Sequence, residues 1–275
     1  MSKSGLLAGT AAVVTGGARG LGRTMADALV EAGASVLVAD INPDPQLAGH
    51  DKLIQIRGDV TQPADAEECV GTCVDRFGRI DVLVNNAGIL MRTARARTGI
   101  EGRVNFWDVD ADTVRLFLDV HAVGSFLMAK AAVPHMMSQG RGRIVTVSTS
   151  FSTMLDGNRT PYGPAKAAME AFASTMSHDL ADTGVTVNVL IPGHPRGPHK
   201  AEVSGADAER GPDGKRLVPR VPVGIMGPPI VWLASDASNG VTGRRFIATH
   251  WDTSLEPDDA AAGASYPLAW AQLDS

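Results

Sequence analysis

Ala11-Ala12-Val13-Val14-Thr15-Gly16-Gly17-Ala18-Arg19-Gly20-Leu21-Gly22, continuing through an amphipathic segment over 23–32 into Ser35-Val36-Leu37-Val38-Ala39-Asp40, decides the fold. An apolar run, a glycine-rich turn, a helical pattern, a second apolar run and a closing acid together read as a mononucleotide-binding unit. Glycines in such a turn leave bare backbone, so a diphosphate can approach the positive end of the following helix. Alone, they serve equally well as packing glycines of a tight turn. Asp40, ending the second run, suits hydrogen bonding to the adenosine ribose hydroxyls and repels a 2′-phosphate, which favours NAD over NADP. The same carboxylate also suits a turn cap, and Arg19 inside the glycine loop attracts phosphate.

Working outward, further short apolar runs occupy 53–57, 80–84, 144–147, 185–191 and 245–248. Helical patterns separate them: one after the turn at 62–65, a long one over about 111–137, one over about 162–181 and one from 230 to 234. This alternation predicts an α/β chain with a parallel sheet covered by helices on both faces. We expect one domain over 1–251, with a C-terminal tail over 252–275 of no clear period. Within the domain, an irregular basic insertion spans about 91–104 and carries Arg92, Arg95, Arg97 and Arg103. A Gly/Pro-rich loop spans about 193–229.

Composition narrows the function. The 275 residues are 44% hydrophobic and 20% charged, which excludes disorder for the bulk of the chain. A formal net charge of −5 gives no overall electrostatic reason to bind nucleic acid or an anionic membrane, so the expected partner is a small molecule. Cys69 and Cys73, four residues apart on a helical pattern, form no disulfide framework and fit a reducing cytoplasm. No signal peptide or anchor is expected, because no run approaches the roughly 18 apolar residues of a membrane span. The seven histidines show no ligand spacing, so no metal is expected.

Tyr162 and Lys166 stand four apart at the start of a helical pattern, so both project from one face. For tyrosine to act as a base near pH 8, its pKa of about 10 must fall by about two units, roughly 2.7 kcal/mol. A neighbouring ammonium and a cationic nicotinamide ring both push that way. On spacing alone, such a pair is common in ordinary helices.

Taken together, Thr15-Gly16-x-x-x-Gly20-x-Gly22, Asp59, Asn85-Asn86-Ala87-Gly88, Tyr162-x-x-x-Lys166 and Pro192-Gly193 resemble the classical short-chain dehydrogenase/reductase family up to about residue 251. The resemblance implies a single doubly wound Rossmann-type domain with a seven-stranded parallel sheet, a nicotinamide cofactor, and interconversion of an alcohol and a ketone. It makes Tyr162 the general acid/base, with Lys166 holding the nicotinamide ribose and lowering the tyrosine pKa. A hydroxyl thirteen positions before the tyrosine orients the substrate oxygen. Here that position is Thr149, flanked by Ser148 and Ser150, and the sequence leaves the three open. His121 stands where the family has a catalytic asparagine, and reads either as a proton-relay member or as a structural histidine. The implied cofactor contacts are Gly16, Arg19, Gly20, Leu21, Gly22, Asp40, Asp59, Val60, Asn86, Ala87, Gly88, Tyr162, Lys166, Pro192 and Gly193.

Departures from the family pattern carry further expectations. The arginines of the insertion leave the sheet at its ligand-binding end and suggest an anionic substrate. After Gly193 the chain reads His194-Pro195-Arg196-Gly197-Pro198-His199-Lys200 in the substrate-lid position, where Arg196 and His199 are candidate substrate contacts. Tyr266 and Trp270 of the tail are candidate apolar walls for a neighbouring subunit's site. The family also implies a homodimer or homotetramer packed through the helix that carries Met169, Phe172 and Met176. The leading expectation is a cytoplasmic NAD-dependent dehydrogenase or ketone reductase acting on a secondary alcohol or ketone. Alternatives are a 3-hydroxyacyl thioester dehydrogenase/3-oxoacyl reductase and a non-catalytic dinucleotide-binding sensor.

Overall fold

Strands buried on both faces are predominantly apolar, and this is how most positions of the central strands read. The computed structural model describes residues 5–47, 51–193 and 222–268. β1 (Ala11–Thr15), β4 (Val82–Asn85), β5 (Gly142–Val147) and β6 (Val185–Ile191) are buried at every position. With β2 (Ser35–Asp40), β3 (Leu53–Arg57), β7 (Arg244–Ile247) and β8 (Ser265–Pro267) they form one sheet in the order β3-β2-β1-β4-β5-β6-β7-β8. β1 to β7 pair in parallel, whereas β8 lies antiparallel to β7 with Arg245 opposite Tyr266. The sheet therefore has one strand more than the seven expected, because the tail turns back and covers the otherwise open β7 edge.

Helices close both faces. On one, Met25 and Leu29 of α1 (Gly20–Glu31) and Ile230 and Leu233 of α8 (Gly227–Ala234) join the inward side chains of the strands. On the other lie Val70 and Cys73 of α2 (Pro63–Phe77), with Met128 and Met136 of α5 (Gly124–Ser138) and Ala173 of α7 (Tyr162–Asp179). Cys69 and Cys73 are buried free thiols, and burial pushes both up to about 12, so neither is a reactive thiolate.

Three segments depart from expectation. The insertion is not irregular: Met91–Thr98 forms α3, which buries Met91 and Ala94 and ends on Gly99 at φ +69°. Two of its arginines lie in the last turn, where positive charge suits the helix dipole. The tail also has structure, since Pro257–Ala264 forms α9 and buries Ala260, Ala261 and Ala264. Trp232 Nε1 anchors this helix by donating to Asp258 Oδ1 at 2.7 Å. Finally, α4 (Ala111–Leu118) continues through a π-turn at Asp119–Val123 into α5. The resulting helix, Ala111–Ser138, is long and apolar enough to cross a membrane, contrary to the expectation that no segment is. Its apolar residues are used in the core instead, with Phe117, Met128 and Ala132 fully buried.

Candidate active site

Chain order reverses between β1 and β4, and in a doubly wound sheet the crevice outside the strand ends at such a point receives the ligand. Two loops meet there, the glycine turn after β1 and Asn86-Ala87-Gly88 after β4. Thr15 Oγ1 accepts from the amides of Asn86 and Ala87 at 3.0 Å each, and Asn86 Nδ2 donates to the carbonyls of Thr15 at 2.9 Å and Gly16 at 3.0 Å. Gly16 has φ +62°, and a Cβ there would lie 2.8 Å from Ala87 Cα. A Cβ on Gly22 would run into the Gly16 carbonyl and Asn86 Nδ2. The bare backbone at these glycines, at the start of α1, fits the diphosphate of a dinucleotide. Gly20, at φ +59°, and Leu21 begin α1, with Leu21 packed on the core.

Asp40 is buried at the end of β2. Its Oδ2 accepts from the Ala18 amide at 3.2 Å and its Oδ1 from the Asn42 amide at 2.9 Å. Arg19 is exposed, donates to the Asn42 carbonyl at 3.1 Å and lies 3.9 Å from Asp40. Asp59 Oδ1 accepts from the amide and hydroxyl of Thr61 at 3.0 and 2.8 Å, shaping the turn that carries Val60 toward α5. Pro192 and Gly193 follow β6, with Gly193 at φ +90° against the Thr249 side chain. His194, Arg196, His199, most of the 193–229 loop and Trp270 lie outside the described residues. Tyr266 stands on β8, its hydroxyl 2.7 Å from His250 Nδ1.

The acid/base candidates converge beside this crevice. Tyr162 opens α7, and one turn on, the buried Lys166 donates from Nζ to the Val147 carbonyl at 2.7 Å. Lys166 Nζ lies 5.9 Å from the Tyr162 ring centre. Of the three hydroxyls left open, Thr149 is the one near enough to Tyr162 to favour its ionised form. Ser150 instead caps the short helix α6 (Phe151–Leu155), accepting from Thr153, and Ser148 faces Glu170.

Burial raises Tyr162 above the usual tyrosine value, partly offset by the Thr149 hydroxyl and by Arg159. Burial also brings Lys166 down to about 7, against the opposing pull of Glu170. The lowering of the phenol that the family resemblance implies is thus opposed by desolvation, the largest influence on both groups.

His121 lies in the π-turn, fully buried, with its ring edge-on to Tyr162 at 5.4 Å. Its Nε2 is 2.9 Å from the Ile89 carbonyl and 3.4 Å from the Ile89 amide, and Nδ1 has no hydrogen-bond partner among the described residues; a proton on Nε2 serves the shorter of the two contacts. A Cβ on Gly88 would lie 2.6 Å from His121 Cε1, so the bare glycine lets the imidazole pack against the loop. Burial first, then the charge of Lys166, pulls His121 down to about 3. It is a neutral imidazole at physiological pH.

The insertion walls the site. Ile89, Ile100, Val109, Leu118 and Tyr162 pack around Met91, Ala94, Val104, Phe117 and Ala165. Two insertion arginines are used internally: Arg95 Nε donates to the Gly102 carbonyl at 2.8 Å and Arg97 Nε to Thr113 Oγ1 at 2.6 Å. The sequence reading passed over Glu170 and Arg245, a fully buried ion pair at 2.9 Å directly behind Thr149 and Lys166. Both had a signal: Glu170 continues the four-residue spacing from Tyr162 and Lys166, and Arg245 is a charge in a buried strand.

The chain is 30% identical to fluoren-9-ol dehydrogenase of Terrabacter sp., over 96% of this chain and 77% of that one. It is 31% identical to 2,5-dichloro-2,5-cyclohexadiene-1,4-diol dehydrogenase of Sphingobium indicum, over 86% and 93%. To trans-4-hydroxycyclohexanecarboxylate dehydrogenase of Sinomonas cyclohexanicum it is 32% identical, over 88% and 92%. Residues 10–207 match the family model described as short chain dehydrogenase, and the chain, an oxidoreductase by that membership, belongs to the short-chain dehydrogenase/reductase family.

Proposed function

We propose that the protein transfers a hydride between NAD(H) and a secondary alcohol or ketone carried on an apolar ring. The observation that carries this reading is the convergence of the Thr149 hydroxyl on Tyr162, with Lys166 one helical turn behind. Two neighbouring hydroxyls can both reach one substrate oxygen, Thr149 orienting it and Tyr162 exchanging its proton. The bound nicotinamide supplies the hydride acceptor or donor. Lys166 holds the nicotinamide ribose and, as an ammonium, favours the phenolate. The names of the three relatives describe alcohols on carbocycles, and the apolar insertion wall beside Tyr162 suits such a ring.

NAD is favoured over NADP because Asp40 sits buried at the end of β2 while the nearby Arg19 is already engaged. With Arg95 and Arg97 turned to internal partners, the motive for an acyl-carrier substrate weakens. Exposed Phe126 and Phe172, 5.6 Å apart on α5 and α7, support self-association through these helices. The buried free thiols suit a reducing cytoplasm.

The test follows absorbance at 340 nm with NAD or NADP and fluoren-9-ol, trans-4-hydroxycyclohexanecarboxylate and cyclohexanol. Turnover with NAD that falls by about 100-fold or more in Tyr162→Phe is expected. Equal rates in wild type and variant would overturn the tyrosine mechanism. Cofactor binding with no turnover across a wide alcohol panel would favour the sensor reading.

A further inference from the structure

Arg245 is a buried charge in β7, and its guanidinium has three defined contacts. Nη1 donates to Glu170 Oε2 at 2.9 Å, Nη2 donates to the Thr149 carbonyl, and its face lies 3.9 Å from the Phe151 ring centre. Arg245 and Glu170 are 2% and 0% exposed at their side chains. Glu170 is one helical turn beyond Lys166, and its second oxygen, Oε1, is buried with no hydrogen-bond partner among the described residues. β7, the peptide after β5 and α7 are thus joined by one buried pair at the back of the candidate site.

A buried ion pair is poor value as a source of stability, because desolvating two charges cancels most of their attraction and apolar side chains of similar size serve as well. Direction and charge are what apolar side chains cannot supply. Here the direction acts on the Thr149 backbone and the charge on Lys166. Without Glu170, Lys166 loses the neighbouring carboxylate that favours its charged form and Arg245 is left a buried cation without its partner, and of the two only lysine readily gives up its proton. The groups facing Lys166 are Tyr162 and Glu170 on its own helix, His121 on the π-turn and, through Glu170, Arg245 on β7; Arg159 acts on Tyr162.

We propose that Glu170 and Arg245 are positioning residues of this site, Arg245 holding the Thr149 peptide in place and Glu170 keeping Lys166 protonated. The inference deepens the dehydrogenase reading and rests on it for its catalytic consequence, whereas its electrostatic core does not. The experiment therefore has two readouts. In protein carrying ¹³C-labelled lysine, the titration of Lys166 is followed by NMR and assigned among the six lysines with Lys166→Arg. Turnover of fluoren-9-ol with NAD is measured across pH in the same proteins. Variants are Glu170→Gln and, should that fail to fold, Glu170→Leu combined with Arg245→Met, which removes both charges.

We expect the Lys166 midpoint to fall by about one pH unit or more in Glu170→Gln and to a smaller extent in the double variant. Turnover at neutral pH should drop by about tenfold, through kcat more than KM, and Glu170→Asp should restore part of both. An unchanged Lys166 midpoint in a folded variant overturns the proposal. A wild type without Tyr162-dependent turnover defeats the dehydrogenase reading instead, and leaves the Lys166 titration as a valid test of the pair.

Discussion

Replacing His121 with asparagine tests whether this imidazole is a neutral clamp or a titrating proton carrier. Asparagine can still bond the Ile89 backbone, as Nε2 does now, but has no titration near neutral pH. The folded protein holds His121 at about 3, against an ordinary value of 6.5, because burial and Lys166 both oppose its charge. Between those values the unfolded chain binds a proton that the folded chain refuses, so stability from this residue is complete above pH 6.5 and is lost as pH falls toward 3. The full difference corresponds to roughly 5 kcal/mol. In urea unfolding at pH 7.5, 6.5, 5.5 and 4.5, subtracting the asparagine variant cancels the other titrating groups. Wild type should lose about 1.4 kcal/mol relative to the variant by pH 5.5 and about 2.7 kcal/mol by pH 4.5, with almost nothing at pH 7.5. Parallel stability curves down to pH 4.5 would mean that His121 titrates normally, and the clamp geometry would be refuted. Curves that diverge as expected also exclude an imidazolium form as a resting relay member near pH 8.

Other sites respond in ways the geometry fixes. Gly22→Ala drives a Cβ into the Gly16 carbonyl and Asn86, so calorimetry should find NAD affinity reduced by about tenfold or more and the melting temperature lowered. Asp40→Ser removes the carboxylate beside the glycine turn, so the ratio of NAD to NADP dissociation constants should move toward NADP by about tenfold; an unmoved ratio would show that Asp40 serves as a turn cap alone. Arg97→Ala breaks the bond from α3 to Thr113, and should cost about 1 kcal/mol of stability while leaving KM for trans-4-hydroxycyclohexanecarboxylate unchanged. A KM for that carboxylate that rises several-fold would reinstate an anion-binding role for the insertion.

Local patterns settled the framework. Short, mostly apolar runs such as 185–191 pointed to buried strands, and a glycine-rich turn at 16–22 between strand and helix pointed to a mononucleotide-binding unit. The spacing of Tyr162 and Lys166 placed both on one face of α7, which is a property of the helix itself. Sequence could not choose among Ser148, Thr149 and Ser150, because three adjacent hydroxyls differ only in where the strand end aims them. Packing turned Ser150 into a helix cap and Thr149 toward Tyr162. Nor could it see α3 or β8. A run of basic residues becomes helix when Met91 and Ala94 find a buried face, and a short tail becomes strand when an open sheet edge is beside it. Charge states were the least legible of all. The values at His121, Lys166 and Tyr162 are set by how much water the fold removes, and by an Arg245 carboxylate partner 75 residues away in sequence, and desolvation and long-range pairing exist only once the chain has closed on itself.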